Sequence, residues 1–151
     1  MVRDRRPDLA FGCVGLQGLG VAFVVWSSFW DWARSGSRWR DSYQLFGVAE
    51  RLGVTSPTVR HVLQLWVLLP AVAAAGACAL AFRHWRLAVV IGIVVGAAAI
   101  AASVAVRNRP LLAGTGCDAA LWGGILVVVT GLLAVVLPPH LGVRREPRAN
   151  R

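Results

Sequence analysis

The sequence predicts an all-α, polytopic membrane protein: a four-transmembrane-helix bundle with a short amphipathic helix in its first extracytoplasmic loop. Three observations lead there. Of the 151 residues, 57% are hydrophobic and only 15% are charged, where a soluble domain carries about 25% charge. The charges stand at the termini and in short breaks between long apolar runs. Four of those runs are long enough, at about 1.5 Å per helical residue, to cross a hydrocarbon core of roughly 30 Å. A single membrane domain is expected over 1–151, with spans at about 9–30, 57–82, 86–106 and 119–137, an outer loop over 31–56 and a disordered basic tail over 138–151.

The first span follows Arg3, Arg5 and Arg6. A secretory signal also begins with positive charge. The apolar run Leu9 to Trp30 is longer than a signal core, however, and ends in Trp26-Ser27-Ser28-Phe29-Trp30 without a small-x-small cleavage pattern, so it reads as a retained span. Gly12, Gly15, Gly18 and Gly20 crowd its first half and read as helix-packing positions.

Asp31 to Arg60 is the one long stretch unsuited to lipid. It opens with a polar segment containing a Ser35-Gly36-Ser37 turn. From Asp41, the residues Tyr43, Phe46, Val48, Ala49 and Leu52 share a helical face, with Leu45 and Gly47 off the stripe. This predicts a short amphipathic helix on the membrane surface or against the bundle; a solvated linker is the alternative. Arg34, Arg38, Arg40, Tyr43 and Phe46 form the candidate interaction surface.

The second span starts at Thr55-Ser56-Pro57, a cap followed by a helix-opening proline, and Pro70 near its middle is expected to bend it. Arg83-His84-Trp85-Arg86 is a tight polar break. In the third span Gly92 and Gly96 make a small-xxx-small pair, and in the fourth Gly124 and Gly131 lie on one face; these four are the candidate helix-packing residues.

The 16 basic residues are all Arg, a bias that fits a GC-rich bacterial genome. An even number of spans puts both termini on one side, with nine of the arginines; the other side holds seven. Arg3, Arg5 and Arg6, just before the first span, favour a bacterial plasma membrane protein with both termini cytoplasmic. Trp26, Trp30, Trp32, Trp66 and Trp122 then gather at the outer interface as an aromatic belt, and Trp85 at the inner one.

Chemistry-bearing residues are sparse. The spans hold no Asp, Glu, Lys or Arg well inside them, whereas coupled transporters place ionisable groups at midplane. Their polar inventory is Gln17, Gln64, Ser103 and Thr130. Cys13 and Cys78 lie within spans, while Cys117 falls in the second outer loop without a partner; His61, His84 and His140 are too scattered for one metal site. Asp31, Asp41, Glu50, His61 and Asp118 could approach the outer arginines and Tyr43, as an envelope enzyme would need, but no spacing among them has catalytic specificity. The expectation is no catalytic residue, cofactor or metal, no nucleic-acid partner, and membrane lipids with a membrane protein or a second copy as partners.

Trp30 and Trp32, the Ser35-Gly36 turn, Ser42-Tyr43-Gln44-Leu45, and the Gly116 to Gly124 run with its Trp122-Gly123-Gly124 give the chain a layout that resembles the small Trp-containing four-span membrane proteins of actinobacteria. The resemblance implies an origin and a layout, and no activity.

Overall fold

A computed structural model describes residues 6–51, 66–108 and 112–136. Among them are five helices: α1 (Arg6–Ser27), α2 (Ser42–Arg51), α3 (Leu69–Ala81), α4 (Trp85–Arg107) and α5 (Thr115–Val136). Three short strands accompany them, β1 (Ala33–Ser35), β2 (Arg38–Arg40) and β3 (Leu112–Ala113). The chain is therefore mainly helical. Two helices, α4 and α5, are long and apolar enough to cross a membrane, with mean hydropathies of 2.7 and 2.4; Gly12–Ser27 and Leu69–Ala81 are shorter apolar helices.

Helix α1 packs against α5, α5 against α4, and α4 against α3. Val24, Val95, Ala99, Ala120 and Val127 are wholly buried where α1, α4 and α5 meet, and Val14, Val89 and Ala134 form a second cluster towards the other end. Small residues set the spacing. A Cβ on Gly96 would lie 2.9 Å from the Gly124 carbonyl oxygen, and one on Gly124 would lie 2.8 Å from that of Gly96. The two backbones thus touch directly, the close approach that small residues at a helix interface allow.

Two polar residues of the interior, Gln17 and Thr130, are held by backbone. Gln17 Nε2 donates to the Val89 carbonyl at 3.0 Å across to α4, and a Cβ on either Gly92 or Gly131 would strike its amide. Two glycines from different helices thus make the room that a buried amide needs to find its partner. Thr130 Oγ1 bonds back to the Leu126 and Val127 carbonyls of its own helix. Ser103 Oγ is buried with no hydrogen-bond partner.

Several expectations change. Pro70 stands at an interruption of the helical run: Trp66 and Val67 are helical, and the turn comes directly before the helix that carries Pro70. It sits in the first turn of α3, after a turn residue, Leu68, where its missing N–H leaves no helical bond unmade. Cys117 is not in a loop: it is fully buried in the first turn of α5, with Sγ 3.5 Å from the Ser103 carbonyl oxygen. The polar segment after α1 is not only a turn but supplies two strands of a three-stranded antiparallel sheet ordered β2-β1-β3. Leu45, off the expected stripe, is the buried apolar residue of α2; the inward face runs Ser42, Leu45, Phe46 and Ala49, the i, i+3, i+4, i+7 series. The Thr55-Ser56-Pro57 start, His61, Gln64 and the tail lie outside the described residues.

Candidate functional site

The part of the molecule with the most elaborate polar architecture is a cap over one end of the bundle, built on the carbonyls at the C-terminal end of α1. Backbone N–H groups already reach them, Ser28 donating to Val24 and Val25 and Trp30 to Ser27, and side chains add second bonds to the same acceptors. Ser27 Oγ donates to the Val24 carbonyl at 2.8 Å and Ser28 Oγ to that of Val25 at 2.6 Å. The Trp32 indole N–H reaches the Ser27 carbonyl at 2.9 Å, and Ser42 Oγ the Ser28 carbonyl at 2.7 Å. Ser42 Oγ in turn accepts the Trp66 indole N–H at 3.1 Å. The Tyr43 hydroxyl stands 3.2 Å from Ser28 Oγ; because the Ser28 proton is committed to Val25, the tyrosine is the donor.

Above these bonds, three rings meet edge to face. Trp32 lies 5.3 Å from Trp66 and 6.1 Å from Phe46, and Phe46 lies 5.6 Å from Trp66, with interplanar angles from 71° to 89°. This is the arrangement that aromatic quadrupoles prefer. Trp32 is fully buried and Trp66 nearly so. They are the core of the cap and not members of an interfacial belt, whereas Trp26, Trp30 and Trp122 are exposed as a belt residue would be.

The sheet locks the cap to α5. Ala33 pairs with both Arg40 and Ala113, and Arg34 with both Trp39 and Leu112. The hairpin turns through two residues, and the first, Gly36, has φ +64°, a left-handed value glycine adopts without strain. The Gly114 N–H donates to the Trp32 carbonyl at 2.7 Å and that of Gly116 to the Asp31 carbonyl at 2.8 Å. A Cβ on Gly116 would lie 2.7 Å from the Trp32 ring and 2.9 Å from Trp30, so the start of α5 is threaded beneath the cap. Arg107 and Asp118 pair across the α4–α5 connection.

Strand pleating separates the three candidate arginines. Arg34 shares one face with Trp39 and Leu112, and all three are exposed; Arg38 and Arg40 share the face of the buried Ala33. Arg40 is half-buried and its Nε has no hydrogen-bond partner. Tyr43 and Phe46 turn inward, Tyr43 against Phe29 at 5.3 Å and Phe46 into the tryptophan cluster. Of the five candidate surface residues, only Arg34 and Arg38 are fully on the outside. The exposed row Trp39–Arg34–Leu112 is the outward feature that sequence reasoning missed; its signal lay in strand alternation too short to read.

Two carboxylates of the cap have structural partners. Asp41 Oδ1 accepts the Gln44 N–H at 2.8 Å, the N-cap bond of α2, and Asp118 is paired with Arg107. No group of three His, Cys, Asp or Glu residues that could hold a metal occurs among the described residues. Gly92, Gly96, Gly124 and Gly131 are all buried between helices of this chain, so their small size serves internal packing. No family model, curated protein or solved structure matches the chain.

Proposed function

We propose that the chain is a non-enzymatic, multi-pass integral membrane protein that serves as an accessory or assembly subunit of a larger cell-envelope complex. One observation carries the membrane half of this reading: the bundle is apolar on its outer surface as well as in its core. Val24, Val95, Ala99 and Val127 fill the interior together with the packing glycines, and Leu19, Val94, Leu132 and Val136 are 71%, 58%, 53% and 75% exposed. Water would penalise such a surface and lipid would not. The four expected spans, the plasma-membrane location, the actinobacterial origin and the cytoplasmic termini belong to this proposal.

The subunit half rests on what the cap offers. An aromatic-cored platform with an outward Trp39–Arg34–Leu112 row is a recognition surface, and Asp41 and Asp118 beside it are committed to capping and pairing. Tryptophan and arginine are the residues most often dominant at binding surfaces. The test is mild-detergent extraction of a C-terminally tagged copy from native membranes, followed by native sizing and mass spectrometry. A stoichiometric membrane partner, lost in a Trp39→Ala, Arg34→Ala double variant, is expected. A lone monomer or homo-oligomer would contradict the subunit assignment.

A second reading, a lipid-handling or small-molecule transport protein acting as a homo-oligomer, has an observation of its own. A partly open groove of about 110 Å³ runs between α1, α3 and α4, with Gln17 among its lining residues.

A further inference from the structure

Helices α1 and α3 both pack on α4, and the groove between the three holds an unmet hydrogen-bond acceptor. Among the described residues that line it, Gln17 is the one with a polar side chain, and it is 3% exposed. Its Nε2 bonds to the Val89 carbonyl and is wedged between Gly92 and Gly131. A carbonyl receives only the NH₂ branch of an amide, so the oxygen, Oε1, is left on the side of the groove. There it accepts no hydrogen bond among the described residues. An amide oxygen within a bilayer has no water to turn to, and its donor comes from another helix.

A separate observation lies on the rim. Gly15, Gly18 and Ala22, spaced i, i+3 and i+7 on one face of α1, are all exposed. A Cβ on Gly15 or Gly18 meets nothing within 4 Å. Glycine inside a helix is destabilising relative to alanine, and no contact within the chain requires these two. Across the groove, Ala73 and Ala77 stand one turn apart on α3. Small residues on both rims let a further helix backbone approach closely, which a lipid chain does not need. At about 110 Å³ the groove has room for one side chain and none for a helix of about 10 Å diameter. A helix lying along the rims would therefore send a single side chain in.

We propose that the Gly15–Gly18–Ala22 face and the groove beside it receive a transmembrane helix of a different protein, one that places a hydroxyl or side-chain amide donor on Gln17 Oε1. The inference rests on the subunit reading above and names the chemistry of the partner at the level of the spans. A second copy of this chain does not supply the donor. Among the described residues, α1, α3, α4 and α5 expose no Ser, Thr, Asn or Gln away from their ends.

Site-specific photo-crosslinking of the full chain in native membranes tests it. A benzophenone amino acid replaces Leu19, 71% exposed and one turn from Gly15, or Leu132, 53% exposed on α5 and no part of the groove. The probe at position 19 is expected to capture a membrane protein, mapped by mass spectrometry to a transmembrane segment that carries Ser, Thr, Asn or Gln. The probe at position 132 should capture lipid. Gly18→Leu should cut the yield at position 19 about tenfold or more. It should not lower the melting temperature of the isolated protein, because a Cβ there meets no atom within 4 Å. Alanine in place of the partner's donor should cut the yield about threefold or more. Lipid adducts alone at position 19, an adduct with a second copy, a captured segment without such a donor, or an undiminished yield in Gly18→Leu overturns the proposal. If mild extraction still recovers a partner after such a result, the subunit reading stands; if it recovers none, that reading falls as well.

Discussion

Gly96→Leu is expected to separate α4 from α5 and to destabilise the protein by about 3 kcal/mol or more, at the upper end of overpacking effects. The reason is that the obstruction is backbone. The first added carbon would lie 2.9 Å from the Gly124 carbonyl oxygen and 3.0 Å from both Val127 Cγ1 and Val128 Cγ2, so no rotamer change relieves it and α5 itself must move. Gly15→Ala is the matched control: a Cβ there meets nothing within 4 Å, and an alanine inside a helix is worth roughly 0.5–1 kcal/mol over glycine. Thermal unfolding in detergent should show a large fall for the first variant and no fall for the second. Equal behaviour would mean that the Gly96–Gly124 contact does not set the helix spacing.

Trp32→Ala carries the second large effect, about 3–5 kcal/mol on the scale of buried aromatic truncations. The indole is 0% exposed and touches Trp66 and Phe46, and its N–H satisfies the Ser27 carbonyl. Removing it empties the cap and strips the Ser27 carbonyl of its second donor, the Trp30 N–H remaining. Trp32→Phe keeps much of the packing and forfeits one hydrogen bond, so its loss should be nearer to about 0.5–1.5 kcal/mol. The readout is local as well as global: Arg34, Arg38 and Arg40 are trypsin sites within the cap, and cleavage there should accelerate in Trp32→Ala. Unchanged resistance would show that the cap does not depend on its tryptophan core.

What the sequence made legible follows from the range of the forces involved. Long apolar runs bounded by charge located α1, α4 and α5 to within a few residues: 9–30 against Arg6–Ser27, 86–106 against Trp85–Arg107, and 119–137 against Thr115–Val136. The period of Ser42–Arg51 announced α2, although Leu45 was placed on the wrong face because ten residues barely define a stripe. The sheet was not legible. Pairing Ala33 with Ala113 joins two- and three-residue strands from distant parts of the chain, and nothing in so short a strand distinguishes it from a loop. The same distance hid the role of Trp32. A tryptophan beside a span reads as a belt residue until the carbonyl it caps and the rings it meets are placed around it. The candidate surface was read as one arginine cluster because sequence proximity carries no pleat; pairing put Arg34 on one face and Arg38 and Arg40 on the other.

The central claim, a bundle with an apolar outer surface that crosses the membrane with its cap on the outer face and its Arg83–Arg86 turn on the inner, is tested most directly by sided cysteine labelling. In a background lacking Cys13, Cys78 and Cys117, single cysteines are placed at Ser37 in the cap hairpin and at His84 in the opposite turn, both exposed positions. Intact cells treated with a membrane-impermeant maleimide should label Ser37→Cys, and His84→Cys should react only after lysis. Labelling of both from the same side, or recovery of the protein in the soluble fraction, would contradict the account.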